Sequence, residues 1–305
     1  MTEILQVGAE RADDVLAVIH EAFAGRPVLD PPATALDETL ESVGRVLAEH
    51  GGLLAIHDGK PVGALLLSDE GVLLGLRRVG VLAEARQHGV AGMLADTAAE
   101  VADARGKDGL VLEARAELPA TVAFWHKHGY VEVGRDGPRL RMLRHLPVEL
   151  RLPTPEDTRG VGLRLARVLR AGDLLILTGD LGAGKTTLTQ GLGEALGVRG
   201  AVTSPTFVIA RVHPSTSTGP ALVHVDAYRL GDAAELDDLD LDTDVDAAVT
   251  VVEWGTGLAE ALSTDRLELR LERADDDVRT LTVTPVGARW LDSDLRGALG
   301  AGALA

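Results

Sequence analysis

Apolar positions along the chain recur with two periods, and the changes between them outline its elements. Residues 4–7 predict a short strand. Over 12–23, Val15, Ile19, Ala22 and Phe23 fall on one helical stripe, and Leu40, Val43 and Leu47 repeat that spacing over 37–49. The Pro-rich stretch 26–35 between them predicts a loop. Two strand-like runs, 53–57 and 61–68, are joined by Asp58-Gly59-Lys60, a hairpin signal. Residues 71–81 predict a further strand, followed by a helix with Val90, Met93, Leu94 and Ala98 on one side. A strand over 109–114, a short helix over 121–128 and a strand over 137–146 complete this series. A second series opens with a strand at 148–152. Thr154-Pro155-Glu156-Asp157 then supplies a capping hydroxyl, a first-turn proline and acids near the positive end of a helix. Helical spacing continues through Val161, Leu165, Val168 and Leu169. Apolar strand runs follow at 174–177, 221–226 and 249–253, a strand runs to Val212, and a hairpin strand is expected at 279–284 after the turn 274–277. No long linker separates the series. The pattern predicts two α/β domains, 1–146 and 147–305, meeting near Pro147.

Composition narrows the picture. With 305 residues, 46% hydrophobic and only 3% aromatic, the chain has enough apolar mass for two cores built mainly of Leu, Val and Ala. A net charge of −17 argues against direct nucleic-acid binding, which needs clustered Lys and Arg. The absence of cysteine excludes disulfides, thiolate metal sites and a cysteine nucleophile. The first residues carry no basic and apolar leader pattern, and no apolar run is long enough for a bilayer, so no membrane partner is expected and the expected location is cytoplasmic.

The strongest chemical signal is LLILTGDLGAGKTT, residues 174–187. Gly179, Gly184, Lys185 and Thr186 have the spacing of a phosphate-binding loop. Glycines let backbone N–H groups curl round phosphate oxygens, Lys185 would reach the β- and γ-phosphates, and the Thr186 hydroxyl would take a Mg²⁺ position. Two later strands end in carboxylates, Asp226 and Glu253, which suits one nucleotide–Mg²⁺ site. Taken singly, each could be a solvated strand end. GDLGAGKTT, SPTF, HVDAYRL and VVEWG, in this order, resemble the TsaE family, the ATPases of bacterial tRNA threonylcarbamoyladenosine synthesis. The resemblance implies a P-loop NTPase-like α/β domain that binds ATP and Mg²⁺. It gives Gly179, Gly182, Ala183, Gly184, Lys185, Thr186 and Thr187 to the nucleotide, Thr186, Glu253 and Asp226 to the metal, and Asp226, Glu253 and Lys185 to hydrolysis. It makes 204–206 a nucleotide-responsive switch, puts Trp254 near the site (core packing being the alternative), and gives Arg279 to the nucleotide or to the surface. The implied partner is the TsaB–TsaD complex. A small-molecule kinase shares the loop, but no arginine-rich lid is evident.

A second anion-binding signal lies in VGVLAEARQHGVAGMLADTAAE, residues 79–100. Arg86, Gly89 and Ala91 form R-x-x-G-x-A at a strand–loop–helix junction, an arrangement that an ordinary capped helix also produces. Together with GLVLEARAELPATVAFWHKHGYVEVG it resembles the GNAT N-acetyltransferases, nearest the branch that acetylates ribosomal-protein alanine. The resemblance implies a mixed-sheet α/β domain in which Val81, Arg86, Gly89, Val90 and Ala91 hold acetyl-CoA. It makes Glu113 the general base, with a peptide N-terminus or a small amine as acceptor. Trp125 occupies the position where many members carry the tyrosine acid, so a non-catalytic scaffold is the alternative. The acidic run 232–246 fails a Ca²⁺-loop pattern and is expected to be a solvated connection, and the tail 297–305 is expected to fray.

Overall fold

The Asp58-Gly59 pair turns the chain back with both residues at positive φ, 49° and 78°. It joins β2 (Gly52–His57) to β3 (Lys60–Glu70) as an antiparallel hairpin. The computed structural model describes residues 1–27, 29–32, 34–205, 209–229 and 247–300. It divides into two compact units, Met1–Leu146 and Pro147–Ala305. Among the described residues no helix is long and apolar enough to cross a membrane.

The first unit is a seven-stranded mixed sheet. Its remaining strands are β1 (Thr2–Val7), β4 (Leu73–Val81), β5 (Gly109–Arg115), β6 (Val131–Asp136) and β7 (Arg139–His145), in the order β1-β2-β3-β4-β5-β7-β6. Both faces of β2 and β3 are buried, which explains their nearly unbroken apolar runs. Leu54, Ile56, Ala64 and Leu66 pack under α1 (Ala12–Ala24) and α2 (Leu40–His50). The alternate residues Leu53, Leu65 and Leu67 meet α3 (Val90–Ala104) and α4 (Pro119–Lys127) on the other face. Each such Leu or Val contributes about 1.5–3 kcal/mol, and a one-residue slip would expose every one of them.

The pairing of β4 with β5 is parallel. It runs from Leu73↔Gly109 to Leu76↔Leu112 and stops there, although both strands continue. The strands therefore part, and a cleft opens between them. The register of β3 and β4 also shifts between Ala64 and Leu66, opposite Arg78, which has φ 54°.

The second unit holds β8 (Val148–Leu152), β9 (Leu174–Thr178), β10 (Ala210–His213), β11 (Ala221–Asp226), β12 (Ala248–Glu253), β13 (Arg266–Arg273) and β14 (Arg279–Val286). Their order is β10-β11-β12-β9-β13-β14-β8, with β11, β12, β9 and β13 parallel at the centre. α5 (Pro155–Leu165) starts at the expected cap: Thr154 Oγ1 accepts from Asp157 N at 3.1 Å, and Asp157 Oδ2 accepts from Thr154 N at 2.9 Å. α5 crosses α6 (Lys185–Leu196) at two glycines. A Cβ at Gly162 would stand 2.2 Å from Leu188 O, and one at Gly191 2.1 Å from Arg159 O, so only glycine permits this approach.

Several boundaries differ from expectation. α2 starts at Leu40 because the Thr39 hydroxyl caps Ser42 N, and a short 3₁₀ turn, Thr34–Asp37, precedes it. β4 starts at Leu73, after a turn at Gly71. α4 starts earlier than expected, with Pro119 in its first turn. α5 ends at Leu165, not Leu169, where the Arg289 guanidinium takes Val168 O (2.8 Å) and the buried Asp173 carboxylate. The strand expected to run to Val212 is described only from Ala210 and takes in His213. β6 was not anticipated, and β13 was implied only as the unbounded partner of the hairpin strand at 279–284. The acidic run 232–246 and residues 301–305 of the tail lie outside the described residues.

Candidate functional site

In the second unit, β9 delivers the chain into the glycine-rich turn and α6 takes it out. Gly179 (φ 149°) has no room for a side chain, since a Cβ there would be 2.3 Å from Leu271 O. Gly182 (φ 82°) and Gly184 (φ 112°) complete the curl, Ala183 is buried within it, and Thr186 and Thr187 lie half-buried on the first turn of α6. The first-turn amides have no acceptor within the helix and face whatever lies at its positive end.

Lys185 is 5% exposed. Its Nζ donates to Gly179 O (2.7 Å) and Asp180 O (3.1 Å) and lies 4.1 Å from the centre of the Trp254 ring. Burial lowers its pKa, against the opposing pull of Glu253, Asp226 and Asp180. Asp226 and Glu253 end neighbouring strands and are direct register partners, both buried. Thr186 Oγ1 donates to Glu253 Oε1 at 3.0 Å, and His224 Nε2 donates to the same oxygen at 2.9 Å. Arg279 reaches the loop, with Nε donating to Ala183 O at 3.2 Å. The fold thus brings Lys185, Thr186, Asp226, Glu253 and Arg279 to one end of the sheet.

Trp254 is not a core residue. It is half-buried, sits at φ 61° and lies 5.3 Å from the exposed Tyr228 ring. His224 was missed in the sequence, although a histidine two residues before Asp226 on an apolar strand must share its face. Ser204 and Pro205 of the expected switch are described, and Thr206 lies outside the described residues. Among the described residues no three His, Cys, Asp or Glu cluster as a metal cage. Two carboxylates and a hydroxyl beside a phosphate loop suit a hard cation such as Mg²⁺ that keeps water and phosphate ligands.

In the first unit, the parting of β4 and β5 opens a cleft of about 840 Å³ lined by Val81, Arg86, Ala91, Glu113 and Trp125, among others. Gly89 (φ 69°) forms the left-handed N-cap of α3, Val90 behind it is buried, and Arg86 Nε donates to Val81 O at 3.3 Å. Glu113 is exposed, one residue beyond the last β4–β5 pair. Trp125 is buried, edge-on to Phe124 and Tyr130. The Tyr130 hydroxyl has no hydrogen-bond partner among the described residues, burial pushes its pKa up, and it does not line the cleft.

Comparison with known proteins agrees with this division. The family model for threonylcarbamoyl adenosine biosynthesis protein TsaE matches residues 152–281. The tRNA threonylcarbamoyladenosine biosynthesis protein TsaE of Streptomyces coelicolor is 63% identical over 142 residues, which are 45% of this chain and 96% of that protein. The chain belongs to the TsaE family. Its Mycobacterium bovis relative of the same description is 54% identical over 139 residues, 43% of this chain and 83% of that protein. The TsaE unit is joined to a GNAT unit, since the acetyltransferase (GNAT) family model matches residues 17–130. Among solved structures, Bacillus YdiB is 34% identical and covers 52% of this chain and 97% of its own (TM-score 0.42). The PaiA N-acetyltransferase of Thermoplasma acidophilum in complex with coenzyme A is 17% identical and covers 48% and 99% (TM-score 0.43).

The lowered pKa of Lys185 has a testable sign. Its ammonium is lost at a pH below the ordinary lysine value of about 10.4. Nucleotide affinity, measured by calorimetry, is expected to fall as pH rises through that lowered value. Affinity that stays flat up to the ordinary value would contradict a phosphate role for this lysine.

Proposed function

We propose that the TsaE unit is a Mg²⁺-dependent ATPase acting with TsaB–TsaD in tRNA threonylcarbamoyladenosine synthesis in the cytoplasm. We further propose that the GNAT unit is an acetyl-CoA-dependent N-acetyltransferase. The observation that carries the first reading is the meeting of Lys185, Thr186, Asp226 and Glu253 at the start of α6. Lys185 rests on two carbonyl oxygens of its own loop, Gly179 O and Asp180 O, which stand in for phosphate oxygens. Transferred to ATP, its ammonium and the loop amides would hold the β- and γ-phosphates. Thr186, Glu253 and Asp226 would hold Mg²⁺, which when bound neutralises charge on the phosphates. His224 keeps the Glu253 carboxylate aimed at Thr186. Arg279, donating to Ala183 O, would steady the loop and could contact the nucleotide. The net charge of −17 fits a protein that leaves tRNA contact to its partners.

The test is phosphate release by the purified chain, alone and with TsaB and TsaD. Low basal hydrolysis should rise with the partners, and Lys185→Ala should lower it by about 10²-fold or more. Appearance of a phosphorylated acceptor would contradict the reading in favour of a kinase.

In the GNAT unit, Val81, Arg86, Gly89, Val90 and Ala91 would hold the coenzyme, and Glu113 would take the proton of a peptide N-terminus or small amine. Glu113→Gln is expected to lower kcat by about 10²–10⁴-fold with coenzyme affinity retained. A second reading, a scaffold that binds coenzyme without turnover, is favoured by one observation: among the described residues no tyrosine lines the cleft. Coenzyme binding without thiol release from any acceptor would favour the scaffold.

A further inference from the structure

The sheet face that carries Glu113 also carries arginines that make no hydrogen bond or ion pair among the described residues. β5 and β7 pair with Glu113 opposite Arg141 and Arg115 opposite Arg139. Directly opposed residues project to the same face. The intervening Leu112, Ala114, Leu140 and Met142 go to the other side, into the core with α3 and α4. On β4, Arg77 is opposite Leu66, which packs under α1 and α2, so Arg77 shares the Glu113 face. The apolar core beneath α1 and α2 contains no β5 or β7 residue, and here the face forms a wall of the cleft.

In a chain of net charge −17, the residues lining this one cleft include seven arginines against two carboxylates, Glu70 and Glu113. Four of the seven are engaged. Arg78 pairs with Glu38 and Arg115 with Glu117, while Arg26 and Arg86 donate to Val79 O and Val81 O. Burial, with a smaller contribution from the charge of Arg86, lowers the Arg26 pKa to about 10. Arg77, Arg139 and Arg141 are exposed and make no hydrogen bond or ion pair among the described residues, although the charge of Arg77 adds to that of Arg78 at Glu38.

We infer that the acceptor taken by the GNAT unit is an amine with a carboxylate close to its amino group, held by Arg77, Arg139 and Arg141 while Glu113 receives the amine. This rests on the acetyltransferase reading above. Opposed strand residues have Cβ atoms about 5 Å apart and residues two apart on one strand are about 7 Å apart. That spacing suits an amino group and a carboxylate within one or two residues of it. The transfer is unchanged by this recognition: the C–N bond forms as the C–S bond breaks, the amine proton passes to Glu113, and the thiolate takes a proton from solvent.

Two other anions could claim the arginines. The coenzyme's phosphates are served by Arg86 and the start of α3, beyond the end of β4, whereas Arg139 and Arg141 lie on β7. An RNA backbone would meet Glu113 in the middle of the patch.

The test uses the full chain and three short peptides with the same first residue, Ser-Asp-Glu, Ser-Asn-Gln and Ser-Lys-Lys, plus free glutamate. Thiol release is measured with acetyl-CoA, and binding by calorimetry with and without coenzyme. The acidic peptide or glutamate is expected to exceed the amide peptide by about 10-fold or more in kcat/KM or affinity, and which of the two leads identifies the source. Arg139→Glu with Arg141→Glu should abolish that preference and turn it towards the lysine peptide, with acetyl-CoA affinity unchanged. Arg141→Lys should retain part of it. Equal binding of acidic and amide peptides overturns the proposal. So does a loss confined to acetyl-CoA affinity in the charge-swapped variant, or an RNA oligonucleotide that displaces the acidic peptide. Absence of acetyl-CoA binding would overturn the acetyltransferase reading instead, and the peptide comparison would still be read from binding alone.

Discussion

Two buried carboxylates side by side at the ends of parallel central strands are the constraint on which the TsaE unit depends. Asp226 and Glu253 are register partners, 5% and 3% exposed. Like charges so placed repel each other and are cut off from water, and neighbouring donors and cations must compensate. His224 and Thr186 supply donors to Glu253, and Lys185 supplies a cation drawn into the same low-dielectric space. The Lys185 pKa is lowered despite those acids, so burial outweighs attraction. An arrangement of this kind gains from a cation and a polyanion arriving together, which is what ATP with Mg²⁺ is.

The two units gather cationic side chains in different ways. In the TsaE unit a strand turns into a helix through glycines at positive φ, and a buried lysine follows at once. In the GNAT unit two parallel strands part after Leu76↔Leu112, and arginines from distant strands line the gap. The first device is compact and local. The second depends on strand order, because β7 returns beside β5 and brings Arg139 and Arg141 opposite Arg115 and Glu113.

That difference decides what could be read from the amino-acid sequence. The phosphate loop was legible because its geometry demands glycine, lysine and threonine at set spacings, and Gly179 shows why in the 2.3 Å contact that a side chain would make. The Asp58-Gly59 turn and the Thr154 cap were legible for the same reason: each is a local conformation with a narrow choice of residues. β6 was not, since VEVGRD lacks a clear apolar alternation and gains its place by pairing with β7. The α5–α6 crossing was hidden too, because Gly162 and Gly191 are informative only once the helices touch. His224 and Trp254 act through contacts across the strand ends, with Glu253 and Lys185, that spacing alone does not reveal.

The central claim is that the buried carboxylates form a nucleotide–metal site, and calorimetry of ATP binding with and without Mg²⁺ tests it most directly. In the unaltered chain Mg²⁺ should strengthen ATP binding, and in Glu253→Gln that gain should vanish while metal-free binding persists. A Mg²⁺ gain that survives the substitution, or ATP binding indifferent to Mg²⁺ from the outset, would contradict the account.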